Sequence, residues 1–514
     1  MRSTGVLAAL ALAMAPVTAH AFCGFYVAGS NQPMFNDATQ VVLMRQGTRT
    51  VLSMQNNYKG PPEAFAMVIP VPVVLHEGDV KTLPKDVFAH VEQMGAPRLV
   101  EYWEQDPCRP PIPEEAMAAP MGGAIAYDKD EASGGGGVKV EARFNVGEYQ
   151  IVILSAKDST GLEAWLRDQK YNIPAGAEPL LRPYVEQGMK FFVAKVDPTK
   201  VAFENGRAAL SPLRFYYDAD EFSLPIRLGV ANSSGTQDLI VNILAPNQRY
   251  EVANYDDITV PTNLDVTPNV KDKFGAFYTA LFDATLAKHP GAVVTEYAWQ
   301  ATTCDPCPGA TLDQSDFLTL GADVLAGPAG HPAPYNNEDF VLTRLHARYT
   351  KDVKNDLVFR QATPIVGGRE FVQSGGQLEQ GARADSVNNF QARYAIRHPW
   401  TGPITCEKPT RGIWGGPPAG QQIATGPIAA TNLAFAPRTG VQLASAVPKG
   451  IPELGLASGV SPKTSSGTAT PAEPTTYAPA QPVKTGCGCD SNGDAPGMIV
   501  MLSLVGFAVM RRRS

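Results

Sequence analysis

Between residues 22 and about 400 the chain reads as short apolar–polar alternations with a period of two, broken by a few stretches of helical spacing. Residues 39–44 and 48–55 are β-rich runs around Gln46-Gly47, a hairpin signal. Residues 64–69 form an apolar run closed by Pro70-Val71-Pro72. Proline has no N–H for a ladder, so this strand is expected to end there or to lie at an edge. Residues 84–94 predict a short helix and 98–103 an extended segment. A second strand pair follows at 138–144 and 149–154, turning at Gly147. Ser159 is placed to cap a helix over 161–171, whose Leu162, Trp165 and Leu166 share a face. Another helix is expected at 178–187, stopped by Gly188. Strands are expected at 190–196, 212–217, 226–230 and 238–244. An amphipathic helix at 271–287 carries Phe274, Phe277, Ala280, Leu281 and Ala284, and a strand at 293–299 follows it. The pattern closes with a short helix at 315–322, a strand pair 340–349 and 357–359 across the charged turn 351–356, and a last strand at 390–397. Strands with short turns and occasional helices predict an α+β fold, largely antiparallel.

The two ends read differently. Arg2, an apolar stretch at 6–14 and Ala19-His20-Ala21 predict a secretory signal peptide over 1–21. The mature chain is then expected to begin near Phe22 in an oxidising compartment. Ala21-Phe22 before Cys23 lack the small residues of a lipoprotein cleavage site. The body is expected to span 22–416. Within it, 113–137 is rich in Ala, Met and Gly and ends in four consecutive glycines, and it reads as a flexible surface loop. It lacks the Lys-Ser/Thr of a phosphate-binding loop and opens no helix. From 417 to 485 Pro, Ala, Gly, Ser and Thr dominate, which predicts a disordered stalk. The segment 486–514 holds Cys487-Gly488-Cys489, an apolar run at 497–510 and Arg511, Arg512 and Arg513. That run is shorter than the roughly 17–25 residues of a usual span, so it predicts a short transmembrane or cleavable sorting segment. Its arginines fit a cytoplasmic C-terminus.

Composition narrows the choice of partners. The 514 residues are 18% charged, with 47 Gly and 44 Pro, a loop-rich but globular balance. The formal net charge is -7, and four of the 43 basic residues lie in the two terminal segments, so the body is more acidic still. Such a body is a poor electrostatic match for nucleic acid, whose binding rests on Lys and Arg neutralising phosphates.

Cys23, Cys108, Cys304, Cys307 and Cys406 lie in the expected body, and Cys487 and Cys489 in the tail. Cys304-Asp305-Pro306-Cys307 reads as a structural disulfide, either within the pair or from one member to Cys406 or Cys108. The alternatives are a thiol–disulfide site, which wants its first Cys at a helix N-terminus, and a zinc site, which lacks a second ligand pair at metal spacing. Cys23 with Cys108 is a second candidate bridge; five body cysteines leave one unmatched. His76, His90, His289, His331, His346 and His398 form no metal-binding pair at helical spacing. No catalytic residue, metal or cofactor is assigned. Asp218, Asp220, Glu221, Asp256 and Asp257 read as solvated turn carboxylates, and the EF-hand spacing for calcium is missing.

Two resemblances follow from these residues. The order Cys487-Gly488-Cys489, Pro496, apolar run and terminal arginines resembles the MYXO-CTERM sorting signal. That resemblance implies removal of the tail by an envelope protease, lipid attachment at Cys487 or Cys489, and display at the cell surface. The body resembles the DUF2330 family of secreted bacterial proteins over roughly 22–416. The carrying residues are Cys23-Gly24, Tyr58-Lys59-Gly60 with Phe65, and Val68-Ile69-Pro70-Val71-Pro72. Further on they are Trp299, Cys304-Asp305-Pro306-Cys307, Arg393-Tyr394, His398-Pro399-Trp400 and Cys406. This resemblance implies no activity or cofactor. The expected function is therefore a membrane-anchored surface protein acting by adhesion or scaffolding. The alternative is an envelope enzyme, a thiol oxidoreductase at Cys304 and Cys307 or a hydrolase.

Overall fold

A computed structural model of the chain describes residues 25–28, 35–59, 65–108, 139–173, 176–201, 203–204, 207–208, 210–232, 235–325, 336–369, 379, 381–418, 426–433 and 440–458. These residues form an α+β body of four layers: two helices, a five-stranded sheet, a larger sheet, and two further helices.

The first sheet holds β1 (Phe25–Ala28), β4 (Phe65–Val71), β6 (Lys139–Val146), β7 (Tyr149–Ser155) and β8 (Lys190–Val196) in the antiparallel order β1-β4-β8-β7-β6. The second sheet has thirteen strands among the described residues. Its centre is built from β2 (Phe35–Gln46), β3 (Arg49–Lys59), β9 (Leu213–Asp218), β10 (Gln237–Pro246), β11 (Val293–Gln300), β12 (Phe340–Tyr349) and β13 (Asn389–Gln391). They run in the order β9-β3-β2-β10-β12-β11-β13, with only β2 and β10 parallel along this path. A third sheet joins β5 (Arg98–Glu104) to β14 (Arg393–His398) in parallel.

Period-two alternation explains the layering. Leu239, Val241, Ile243 and Ala245 of β10 face Met67, Ile69, Ile151, Phe192 and Ala194 of the first sheet. Residues of the opposite parity face helix α1 (Asp86–Gly95), whose Val87, Phe88, Val91 and Met94 pack on Val42, Met44, Val51, Leu244 and Leu342. Helices α2 (Ser159–Asp168) and α3 (Ala177–Glu186) cover the outer face of the first sheet. Helix α4 (Phe274–Lys288) fills the space between β11 and the third sheet, with Phe274, Phe277, Tyr278, Leu281 and Phe282 buried. Each such aromatic or aliphatic side chain contributes about 1.5–3 kcal/mol on leaving water.

The first hairpin, the second strand pair, α1, α3 and α4 lie where the sequence places them. Gly47, at φ +54°, turns the first hairpin. Five differences have clear causes. Strand β4 continues through Pro70 to Val71, because β8 pairs along one side of it as far as Val71, while among the described residues β1 pairs on the other side only as far as Val68, short of Pro70. Helix α2 starts at Ser159 and is capped by Asp158, whose carboxylate accepts from Gly161 N at 2.6 Å. Residues 226–230 fall in a 3-10 turn, Arg227–Asn232, because the Asp356 carboxylate accepts from the N–H groups of Ile226 and Arg227. Strand β12 does not pair with Leu357–Ala362: both its edges are taken by β10 and β11, so Leu357–Ala362 pairs with Arg249–Val252. The expected strand at 390–397 divides at Ala392 between two sheets.

The body also continues past residue 416. Ala430, Leu433, Ala446, Val447 and Ile451 are buried against α4, within the region read as stalk, because these apolar positions cover a helix that is greasy on most sides. No helix among the described residues is long and apolar enough to cross a membrane; the run at 497–510, the loop 113–137 and residues 459–485 lie outside them.

Candidate functional site

Two disulfides are made. Cys108 bonds Cys406, with Cα atoms 5.5 Å apart, and Cys304 bonds Cys307 at 4.9 Å. Cys108 therefore does not pair with Cys23, since its thiol is consumed by Cys406; Cys23, Cys487 and Cys489 lie outside the described residues. The Cys304–Cys307 loop leaves the end of β11 and is held by its backbone carbonyls. Asp305 O accepts from Gln391 Nε2 at 2.7 Å, Pro306 O from Arg98 Nη1 at 2.9 Å, and Pro308 O from Gln93 Nε2 at 2.9 Å. Arg98 is fully buried and also donates to Met94 O in the last turn of α1, where the helix presents its partial negative charge. Burial lowers the pKa of this guanidinium below its ordinary value. Cys304 is half-buried and Cys307 exposed. The next helical turn, Gln314–Phe317, begins beyond the loop, so no helix N-terminus is aimed at either sulfur.

Beneath α1 and α4 the large sheet carries a buried ionic network. Arg344, His346 and Arg348 alternate along β12 and share a face with Asp238 and Asn242 of β10. Glu296 sits at a bulge in β11 between Thr295 and Tyr297, which turns its carboxylate toward this face. His346 Nδ1 lies 2.8 Å from Glu296 Oε1, and His346 Nε2 3.1 Å from Asp238 Oδ1. Glu296 also accepts from Tyr278 Oη at 2.7 Å and from Arg344 Nε at 2.7 Å. Arg348 Nε donates to Asp238 at 2.7 Å and its Nη1 bonds Asp283. The Phe282 ring stacks on His346 with centroids 3.8 Å apart.

Burial alone would raise the Glu296 carboxyl, but the charges of His346 and Arg344 and the hydrogen bonds from His346 and Tyr278 outweigh it and hold the pKa at about 2. Asp238 is likewise held well below the usual carboxylate range by His346 and Arg348 against the effect of burial. Burial disfavours an imidazolium, yet Glu296 and Asp238 raise the pKa of His346. The network is thus a set of mutually compensated charges. Its signal in the sequence is a set of charges at one parity of otherwise apolar strands: Arg344, His346 and Arg348 in FVLTRLHARY, and Asp238 in QDLIVNILAP.

The other histidines are scattered. His90 meets Asp316 at 2.9 Å, and His398 meets Glu101 at 2.9 Å while stacking on Trp103; His331 lies outside the described residues. No group of three metal-ligating side chains occurs among the described residues. Of the carboxylates read as solvated, Asp257 is half-buried instead, where it accepts from Thr295 Oγ1 and Val252 N, and desolvation pushes its pKa up to about 6.

A polar groove of about 550 Å³ opens beside α1. Its floor is the cross-strand pair Gln40 and Gln55, and its walls include Glu92 and Gln93 of α1, Pro308 of the disulfide loop and Asn432. Glu92 Oε1 accepts from Asn432 N at 2.7 Å, tying the far wall to the helix. The groove is the place where sheet, helix, disulfide loop and the 426–433 segment converge, and no spacing in the sequence announces it.

No curated protein and no solved structure matches this chain. The sequence model of one family, described as an uncharacterized protein conserved in bacteria (DUF2330), matches residues 17–360, two thirds of the chain, and the protein belongs to that family.

Proposed function

We propose that this protein is exported and held at the cell envelope through its C-terminal segment, where the body acts by binding rather than by catalysis. The observation that carries this reading is the Cys108–Cys406 disulfide, which closes a span of 298 residues and is the kind of bond that persists in oxidising compartments. The terminal segments support the same address. Arg2, the apolar stretch at 6–14 and Ala19-His20-Ala21 supply an export signal, and the tail from Cys487 supplies an attachment and processing signal. The partners are then the membrane, through the tail or a lipid on Cys487 or Cys489, and the envelope protease that processes it.

Protease shaving of intact cells, followed by intact-mass measurement of the released body with and without reduction, tests this reading. Release of the body and a gain of four hydrogens on reducing its two bridges are expected. A pool that stays protected inside cells with Cys108 and Cys406 free would overturn it.

A second reading, thiol–disulfide exchange, is favoured by one observation: Cys307 is exposed to a partner thiol. The clamped loop and the missing helix N-terminus weigh against it. In an insulin-reduction assay the protein should show the rate of buffer alone, and turnover lost on Cys307→Ser would establish the second reading instead.

A further inference from the structure

A row of polar side chains crosses the large sheet beneath α1, closed to solvent. Ser53 of β3 pairs with Val42 of β2, Val42 with Asn242 of β10, Asn242 with Arg344 of β12, and Arg344 with Tyr297 of β11. Ser53, Asn242, Arg344 and Tyr297 are fully buried, and Val42, Tyr297 and Leu342 pack under the apolar face of the helix. The last turn of α1 rests on Arg344 itself, since a Cβ added at Gly95 would lie 3.4 Å from Arg344 Cδ. None of the row lines the groove beside α1.

Both amide atoms of Asn242 and both terminal nitrogens of Arg344 make no hydrogen bond to another described residue, and neither does Ser53 Oγ, two strands away from Asn242. The imbalance has a sign. Asn242 Nδ2, Arg344 Nη1 and Arg344 Nη2 each carry two N–H donors, and the unmet acceptor beside them is one amide oxygen. Donors buried without a partner are costly, so such a cluster calls for a guest. Water serves it poorly, because each molecule brings two O–H donors of its own into a place already short of acceptors. An anion accepts from every side and brings none.

Charge points the same way. Arg344 Nε is paired with Glu296, but that carboxylate is shared with His346 and Tyr278. Glu92 Oε1 is 4.0 Å from Arg344 Nη2, beyond hydrogen-bond reach, and already accepts from Asn432 N. A second buried guanidinium, Arg98, lies over the Tyr297 ring at 5.1 Å from its centroid and donates to the carbonyls of Met94, Ala96 and Pro306. Asp305, whose charge favours the Arg98 cation, is exposed. Burial and the charge of Arg344 both lower the Arg98 pKa, so the two guanidiniums feel one another.

We propose that Asn242 Nδ2 and the terminal nitrogens of Arg344 enclose one monatomic anion, a halide such as chloride, taken up as the chain folds. A halide suits a closed site, because it carries a single charge and has no donor of its own. The inference goes beyond the binding role above and does not depend on it.

Urea unfolding of the full processed protein tests it, with sodium chloride or bromide replacing sodium gluconate at constant ionic strength. Unfolding and refolding exchange the interior at each point of the titration. The folding equilibrium constant should rise with halide and, once halide exceeds its dissociation constant, by about tenfold for each further tenfold. Asn242→Asp places a carboxylate beside Arg344 and should remove that dependence, while Ser53→Ala should keep it. In crystals grown from sodium bromide an anomalous bromine peak beside Arg344 and Asn242 is expected, a result that needs no variant to fold. A folding constant indifferent to halide, the same halide response in Asn242→Asp, or ordered water beside Arg344 with an adventitious ion only elsewhere would each overturn the proposal.

Discussion

His346 has one ring nitrogen on Glu296 and the other on Asp238, and this decides its state: as a cation it satisfies both carboxylates. Replacing it with Gln leaves those two anions facing one another in the interior. A loss of about 3–5 kcal/mol is expected for His346→Gln in urea unfolding at pH 6. The pH dependence has a definite sign. His346 has a raised folded pKa, so its contribution is complete below about 6.5 and is lost as pH rises through the folded value. Glu296 and Asp238 have depressed values; their contribution is complete above about 4 and is lost as pH falls, for Glu296 through about 2. Asp257 acts in the direction of His346, stabilising below about 4 and losing that contribution as pH passes about 6. Unfolding free energy should therefore decline between about pH 4 and 6 through Asp257 and again above about 6.5 through His346, and Asp257→Asn should flatten the first of these declines.

At the scale of elements, the ends of helices and strands are where local rules were overruled by short-range contacts. Asp158, one residue ahead of the Ser159 expected from the sequence, caps α2, and Asp158→Ala should cost about 1 kcal/mol in thermal or chemical unfolding, with Ser159→Ala costing less. Serine 159 instead donates to Glu178 of α3 at 2.6 Å, a partner far off in sequence. Gly321, at φ +137°, closes the turn after Phe317, and a Cβ there would lie 2.6 Å from a Val51 methyl. Gly321→Ala should accordingly destabilise the junction of this turn with β3 by more than the roughly 1 kcal/mol of an ordinary glycine exchange, seen as a lower unfolding midpoint.

At the scale of the whole molecule, the Cys108–Cys406 bridge links the loop after β5 to the loop after β14, the same strands that pair in parallel in the third sheet. By the chain-entropy relation a closed span of this length restricts the unfolded state by about 5–6 kcal/mol. Cys108→Ser together with Cys406→Ser should lower the unfolding midpoint strongly under oxidising conditions, and reductant should then have far less effect on the variant than on the natural chain. The Cys304–Cys307 bridge spans three residues and constrains far less chain, so Cys304→Ser with Cys307→Ser should change stability by a smaller amount in the same assay.

What was legible without a structure was whatever the backbone decides locally. Period-two alternation located the β2–β3 hairpin, β7, β8, β10 and β12, helical spacing located α4, the stop at Gly188 located α3, and the total of strands over helices gave the α+β class. The family, too, was carried by local words such as Val68-Ile69-Pro70-Val71-Pro72 and Cys304-Asp305-Pro306-Cys307. What only the tertiary structure decided was pairing between distant segments: Cys108 with Cys406, Leu357–Ala362 with Arg249–Val252, and Ala430, Leu433, Ala446, Val447 and Ile451 with α4. The candidate site belongs to this second class. Gln40, Gln55, Glu92 and Asn432 come from four separate segments, and each alone is an ordinary polar residue. They come together because β2 and β3 lie side by side, α1 packs on that face and Asn432 meets Glu92 of α1, and no spacing along the chain encodes that neighbourhood.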